Sequence, residues 1–330
     1  MSRTILVTGG AGFIGSHYIR YLLTHHRDIQ VINADALRYS ANLRNLDDVA
    51  GDSRYRFKQV DLSRQEEVER LFAHRINEVV HFAAESHVDR SIQGAEPFIQ
   101  SNLIGTYRLL ETIRQSSTVK RMIHISTDEV YGSICQGRTA EGASLKPGNP
   151  YSASKASSDL LCLAYANTYG LPVVITRCTN NYGPNQHPEK FIPKMIFHAL
   201  RDRPLPLYGD GQQERDWLYV TDHCAAVDRV REHGRVGEVY HIGAEQTIPN
   251  REIAGRILDL LGKPTTLIQT APDRPGHDFR YSLQTEKLRR ELGWMPVVSL
   301  EQGLSKTIRW YQAQTDWQQG FGQPPGGTSL

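Results

Sequence analysis

Cysteine is scarce in this sequence. There are four in 330 residues, Cys135, Cys162, Cys178 and Cys224, with no C-x-x-C pair and no metal-ligand spacing. That argues against a disulfide framework and a thiolate metal site, so no metal is expected and reduced thiols are the reading. No apolar run reaches the about 18 residues needed to cross a bilayer. The opening MSRTILVTGG enters a strand at once, without the charged-then-apolar pattern of a secretory signal. An excess of charge is also missing: 38 Lys plus Arg stand against 36 Asp plus Glu. Without a global field there is nothing to draw in nucleic acid or an anionic membrane, and any basic site has to be local. Internal repeats are absent too. The expectation is a soluble, cytoplasmic chain with ample length for a sizeable core.

Alternation fills the first 180 residues. TILVTGG (4–10), IQVINAD (29–35), YRFKQVDL (55–62), EVVHFAAE (78–85), KRMIHIST (120–127) and LPVVITRC (171–178) read as strands. Several are apolar at nearly consecutive positions, as parallel strands covered on both faces are. Helical patterns over 13–26, 64–75 and 97–116 separate them. The predicted fold is α/β: a Rossmann-like, doubly wound parallel sheet with a smaller C-terminal α/β substrate-binding domain. Prolines and glycines cluster after about residue 180. The expected division gives 1–179 to dinucleotide binding, with a return segment near 216–244. The substrate domain takes 180–215 and 245–315, and 316–330, rich in Gly, Gln and Pro, is expected to be a disordered tail.

Directly after the first strand comes TGGAGFIG, with Gly9, Gly12 and Gly15 in a G-x-x-G-x-x-G pattern. Glycines there allow a tight turn and let backbone N–H groups and a helix N-terminus meet a pyrophosphate. Phe13 and Ile14 lie within the same turn. Asp35 follows at the end of the second strand, where a carboxylate bonds a ribose diol and repels a 2′-phosphate. NAD is the expected cofactor, rather than NADP. Asp61, ending strand three, suits adenine recognition or a cap for the helix starting at Ser63, with Leu62 beside it.

YSASK, Tyr151 to Lys155, puts a phenol and an ammonium on one helical face. A cation beside the phenol is expected to draw its pKa from about 10 toward neutrality and make it a usable base. Thr127, or Ser126, would bond the same substrate oxygen. Hydride transfer needs no carboxylic acid, yet Asp128 and Glu129 follow Thr127 in ISTDEVYGS. An acid and a base with separated pKa values can take a proton from carbon and expel hydroxide as water. The plainer alternative makes Asp128 a turn cap and leaves Glu129 to solvent.

With TGGAGFIGSHYIRYLL, HFAAESHVDRSI, HISTDEVYG, NPYSASKASSDLL, TRCTNNYGPNQHPEKFIP, RDWLYVTDH and DRPGHDFRY, the chain closely resembles dTDP-glucose 4,6-dehydratases up to about residue 313. These form an extended branch of the short-chain dehydrogenase/reductase superfamily. By that resemblance Thr127 orients the 4-hydroxyl, Tyr151 with Lys155 removes its proton, and the C4 hydride passes to NAD. Glu129 then takes the C5 proton, Asp128 protonates the departing C6 hydroxyl, and the hydride returns to C6. The resemblance also implies that Gly9, Gly12, Phe13, Ile14, Gly15, Asp35, Asp61, Leu62, Ala83, Ala84, Ser101, Tyr151, Lys155 and Asn181 hold NAD. The nucleotide sugar would meet Ser86, Thr127, Asn180, Lys190, Phe191, Arg215, Asn250, Arg274 and His277, with Pro206, Leu207 and Tyr208 bracketing the base. Stretches 97–116 and 151–169 match a four-helix interface, so a homodimer is expected.

The run ALRYSAN (36–42) departs from the family pattern while keeping Tyr39 and Asn42. Arg215 could be an ordinary salt bridge, and His277 a loop histidine satisfied by backbone. His81, His124 and His241 read as packing residues. Rival functions are a 4-epimerase, a dehydratase of UDP- or CDP-linked sugars, a non-catalytic dinucleotide-binding regulator, and an RNA-binding relative. The last is disfavoured by the lack of a basic stripe.

Overall fold

The first strand dictates the layering. β1 (Arg3–Thr8) carries Ile5, Leu6 and Val7 in succession, all wholly buried. Neighbouring strand side chains point to opposite faces. Ile5 and Val7 enter one apolar cluster with Tyr18, Ile19 and Leu22 of α1 (Phe13–His25), while Leu6 enters a second cluster on the other face. Each such burial contributes about 1.5–3 kcal/mol, so helices must cover both sides.

The computed structural model describes residues 3–273 and 275–314. Arg274 and the tail expected over 316–330 lie outside the described residues. The chain continues through β2 (Ile29–Asp35), β3 (Tyr55–Gln59), α2 (Gln65–Phe72), β4 (Glu78–His81), α3 (Val88–Gln93) and α4 (Glu96–Phe98). A π-helical stretch, Ile99–Ile104, then leads into α5 (Gly105–Gln115), followed by β5 (Arg121–Thr127), α6 (Pro150–Tyr169) and β6 (Val173–Cys178). The helix expected as one run over 97–116 therefore contains an extra-wide turn, a feature often found at functional sites. Asn102 within it is buried, and its amide donates to Glu85 O at 3.0 Å and Ser154 Oγ at 2.8 Å.

The second half holds β7 (Asn180–Tyr182), α7 (Phe191–Leu200), β8 (Leu205–Tyr208), β9 (Glu214–Tyr219), α8 (Val220–His233) and β10 (Val239–Ile242). It ends with β11 (Thr247–Pro249), α9 (Asn250–Leu261), β12 (Ile268–Ala271), α10 (Glu286–Leu292) and α11 (Leu300–Ala313). Among the described residues the main sheet has seven strands in the order β10-β6-β5-β4-β1-β2-β3, every neighbouring pair parallel. This is a Rossmann-like sheet. Strand order reverses between β1 and β4, which opens a crevice at the carboxyl ends of the strands. A smaller unit packs β7, β9 and β11, with the β8–β12 pair, around Ile192, Ile196, Trp217, Ile257 and Leu304. The return to the main sheet is shorter than 216–244: β9 pairs with β7 and β11, and only α8 and β10 rejoin the large layer.

Capping fixes where α6 begins. Asn149 accepts from Ser152 N at 2.9 Å, and Ser152 Oγ accepts from Asn149 N at 3.1 Å, with Pro150 in the first turn. Tyr151 is thereby held in the first turn and Lys155 one turn later. Gly170, at φ 67°, ends the helix in the left-handed conformation that glycine adopts most easily.

Candidate active site

Gly9 has φ +70°, and a Cβ there would lie 2.6 Å from Ala83 N. Only glycine lets β1 turn that closely past the end of β4. The N-cap of α1, Gly12, offers no side-chain bond to the helix start. The first N–H groups and the positive end of the helix dipole are thus available to an anion. Asp35 is buried, and its oxygens accept from Ala11 N at 3.0 Å and Leu37 N at 2.8 Å. A carboxylate can accept about four bonds, so capacity for a diol is left over.

A cavity of about 300 Å³ runs from this turn into the strand crevice. It is lined by Gly9, Gly12, Phe13, Ile14, Gly15, Asp35, Asp61, Leu62, Ala83, Ala84, Ser86, Ser101, Thr127, Glu129, Tyr151, Lys155, Asn180, Asn181 and Lys190, among others. The glycine cradle, the open helix start and the diol-sized acceptor fit a dinucleotide with a free 2′-hydroxyl. Asp61 has a structural role: Oδ1 accepts from Ser63 N and Oγ at 2.9 and 2.8 Å, and Oδ2 pairs with Arg38 at 2.7 Å. In the departing segment, Leu37 takes φ 53°, and Asn42 N donates to Ala11 O at 2.9 Å, tying the loop to the glycine turn.

The acid pair sits where β5 ends. Thr127 Oγ1 accepts from Glu129 N at 3.3 Å and lies 3.2 Å from Asp128 Oδ1. Asp128 is almost wholly buried, and its Oδ2 finds no partner among the described residues. Burial first, and then the neighbouring Glu129, hold the Asp128 carboxyl well above the usual carboxylate range, against a smaller opposing pull from Arg215. The Asp128 environment therefore favours the protonated carboxyl, the form that can donate a proton.

Tyr151 differs from expectation. Burial, followed by the charge of Glu129, pushes its phenol well above 10, and the bond to Thr127 offsets only part of this. Lys155 does not draw the phenol toward neutrality here. Its ammonium, itself lowered by burial, donates to Ile125 O at 2.7 Å.

The remaining residues take varied positions. Lys190 Nζ donates to Ser86 O at 2.7 Å, and Phe191 stacks on Trp217 with ring centroids 5.8 Å apart. Buried Asn180 Oδ1, Asn181 Oδ1 and Asn250 Oδ1 have no partner among the described residues, a state that costs about 1–3 kcal/mol each until something bonds them. The guanidinium of Arg215 donates to the carbonyls of Glu214, Asp278 and Phe279 at 2.8–3.1 Å and lies 4.6 Å over the Tyr281 ring. His277 Nδ1 contacts Asp273 Oδ1 at 2.6 Å, so a side chain rather than backbone holds it, and its ring meets Tyr208 edge-on. In β8 the pleat turns Leu207 into the core, 1% exposed, while Pro206 and Tyr208 face the other way. The Leu207 side chain is thus sealed off from any base. Tyr208 Oη donates to Asp89 Oδ2 at 3.2 Å.

Comparison with known proteins decides the family. A family profile described as GDP-mannose 4,6 dehydratase matches residues 6–307. The dTDP-glucose 4,6-dehydratase of Neisseria meningitidis is 48% identical over 341 aligned residues, covering 96% of this chain and 95% of that one. That of an Actinoplanes species is 48% identical over 318 residues, covering 95% and 99%. DesIV, a dTDP-glucose 4,6-dehydratase of Streptomyces venezuelae solved with NAD bound, superposes with a TM-score of 0.92 at 48% identity over 95% of this chain and 98% of that one. The chain belongs to the dTDP-glucose 4,6-dehydratase family. A UDP-glucose 4-epimerase of Thermus thermophilus, complexed with NAD, has a TM-score of 0.86 at 32% identity over 94% of this chain and 99% of that one. The fold is thus common to dehydratases and epimerases.

Behind the site this dehydratase-family chain holds a polar network that motif reading misses. His81 lies 2.7 Å from Thr8 Oγ1 and 2.9 Å from Thr106 Oγ1. His124 Nε2 lies 3.2 Å from Asp159 Oδ1, and His241 Nε2 lies 2.6 Å from Tyr131 Oη. These histidines are buried network members as well as packing residues, and burial keeps all three neutral. One signal was present in the sequence: Arg177 interrupts the otherwise apolar LPVVITRC, and a buried arginine must have partners.

Proposed function

We propose that this chain converts dTDP-glucose to dTDP-4-keto-6-deoxyglucose, with NAD held by the Gly9–Gly15 turn, Asp35, the Leu62, Ala83, Ala84 and Ser101 walls, and Asn181. Bound NAD supplies the acceptor for the C4 hydride and the donor that returns it to C6. Tyr151 takes the proton of the 4-hydroxyl, with Thr127 bonded at the same point and Lys155 as the buried cation on that helical face. Once C4 is a ketone, the C5 proton is acidic, and Glu129 removes it. Asp128 gives its proton to the C6 hydroxyl, which leaves as water, and as the hydride returns to C6 a proton is restored at C5. The observation that carries this reading is an acid beside a base: Glu129 lines the cavity that holds Tyr151, and the adjacent buried Asp128 has its carboxyl held well above the usual carboxylate range.

For the nucleotide, the reading uses Ser86, Asn180, Lys190, Phe191, Arg215, Asn250, Arg274 and His277, with Pro206, the Leu207 backbone and Tyr208 beside the base. Arginine suits a pyrophosphate through paired charge-assisted bonds. The division of labour proposed for the chain gives the large sheet to NAD and the unit around β7, β9 and β11 to the nucleotide sugar. A homodimer through α5 and α6 is part of the reading, supported by Leu160, 57% exposed, with Tyr107 and Tyr169 also exposed on those helices. A cytoplasmic location is proposed on the four free cysteines. Among the described residues no helix is long and apolar enough to cross a membrane.

The test is incubation of purified protein with dTDP-glucose, UDP-glucose and CDP-glucose separately, without added NAD. Dehydration of the dTDP sugar in preference to the others is the expected result. Dehydration of another sugar instead would move the nucleotide assignment. Epimerisation at C4 without water loss would overturn the reading.

A further inference from the structure

The catalytic groups sit on two separate pieces of chain. Helix α6 carries Tyr151 and Lys155, and the short 3-10 turn Asp128–Tyr131 carries Asp128 and Glu129. One buried guanidinium reaches both. Arg177, on β6, donates through Nε to Asp159 Oδ2 at 2.8 Å and through Nη1 to Tyr131 Oη at 2.5 Å. Asp159 lies on α6 one turn beyond Lys155, wholly buried. Tyr131 closes the turn that holds the two acids, and its ring lies 4.9 Å from the guanidinium.

Proton bookkeeping orients the chain of bonds. His241 Nδ1 is 3.0 Å from Gln284 O, and a carbonyl can only accept. Nδ1 therefore carries the ring proton, and the Tyr131 hydroxyl has two acceptors for its one proton, His241 Nε2 at 2.6 Å and Glu141 O at 3.1 Å. The Tyr131 oxygen is then free to accept from Arg177. Arginine suits the place because its fork of donors is planar and permanently charged, so one side chain can serve two partners in different directions.

We propose that Arg177 is a positioning residue that couples the two halves of the catalytic set, holding the Tyr151–Lys155 helix through Asp159 and the Asp128–Glu129 turn through Tyr131. The inference rests on the dehydratase reading above. Its physical motive is that two steps act on one sugar ring. Tyr151 works at C4, and the turn works at C5 and C6, so the spacing between helix and turn decides whether the second step can follow the first. Arg177 reaches neither substrate nor cofactor in this account and acts only through the residues it holds.

The test uses the holoenzyme mixed rapidly with dTDP-glucose, quenched at intervals and read by mass spectrometry. Two species are counted: the 4-keto sugar that still has its 6-hydroxyl, and the dehydrated product. Tyr131→Phe keeps the ring and removes the hydroxyl that ties the turn to Arg177. The expected result is C4 oxidation within about twofold of wild type and water loss slowed ~10- to 100-fold, so that the undehydrated ketone accumulates. Asp159→Asn loosens the helix side and is expected to slow C4 oxidation instead, with no ketone accumulating. Thermal melting of each variant separates these outcomes from unfolding, and if Asp159→Asn does not fold, Tyr131→Phe alone decides. Equal slowing of both steps in Tyr131→Phe, or slowing of neither, overturns the coupling. Failure of the wild-type protein to dehydrate the sugar overturns the dehydratase reading instead.

Discussion

Replacing Asp128 with asparagine probes charge state and chemistry together. Burial, and then Glu129, raise the pKa of the wild-type carboxyl well above its usual range in the folded protein. A raised folded pKa means that the folded state holds a proton the unfolded chain has released. The stability contribution is complete below the unfolded value of about 3.9 and is lost as pH rises through the folded pKa. Each unit of elevation corresponds to about 1.4 kcal/mol. Asparagine does not titrate, so Asp128→Asn removes that loss, while the Thr127 contact at 3.2 Å can persist through the amide. Against this stands at most about 1 kcal/mol for an altered hydrogen bond. The variant should thus melt no lower than wild type at neutral pH, and relatively higher as pH rises.

Activity should move the other way. Asparagine cannot give up a proton to a leaving hydroxyl, and a positioned general acid contributes about 10²–10⁴-fold. Water loss should fall by that factor while C4 oxidation continues. The assay pairs thermal melting across pH with rapid-quench analysis of product. Turnover within a few-fold of wild type, or a marked drop in melting temperature at alkaline pH, would refute the assignment of Asp128 as a neutral acid.

The remaining predictions use other parts of the site. Gly9→Ala places a Cβ 2.6 Å from Ala83 N at φ +70°, so purified variant should carry markedly less NAD than wild type, measured by release on denaturation. The two steps should respond to pH with opposite signs. C4 oxidation should quicken as pH rises toward the raised Tyr151 value, and water loss should slow as pH rises through the raised Asp128 value, both followed by rapid quench. Asn149→Ala removes the cap of α6 and should cost about 1 kcal/mol, seen as a melting point lowered by roughly 2–4 °C.

Much of the site was legible because its signals are local. The glycine turn, Asp35, Tyr151 with Lys155, and Thr127 with Glu129 are each readable from neighbouring residues or from one helical turn, and they meet at one cavity, with Asp128 buried beside it. What stayed hidden depends on partners distant in sequence. Arg177 finds Tyr131 across 46 positions, and Tyr131 finds His241 across 110. The pKa of Tyr151 rises because burial and Glu129 outweigh the bond to Thr127, while the Lys155 ammonium donates to Ile125 O, a balance no spacing rule contains. Leu207 was assigned by motif, yet the strand pleat set its direction. The wide turn at Ile99–Ile104 left no mark because the apolar pattern continues through it.

The central claim is that Asp128 and Glu129 carry out the dehydration. The most direct test is turnover of dTDP-glucose in deuterated water, with the product's label located by mass spectrometry and proton NMR. One solvent deuterium at C5, with the C4 hydrogen of the substrate recovered at C6, is the predicted result. Loss of water without deuterium at C5, or a C4 epimer that keeps its 6-hydroxyl, would contradict it.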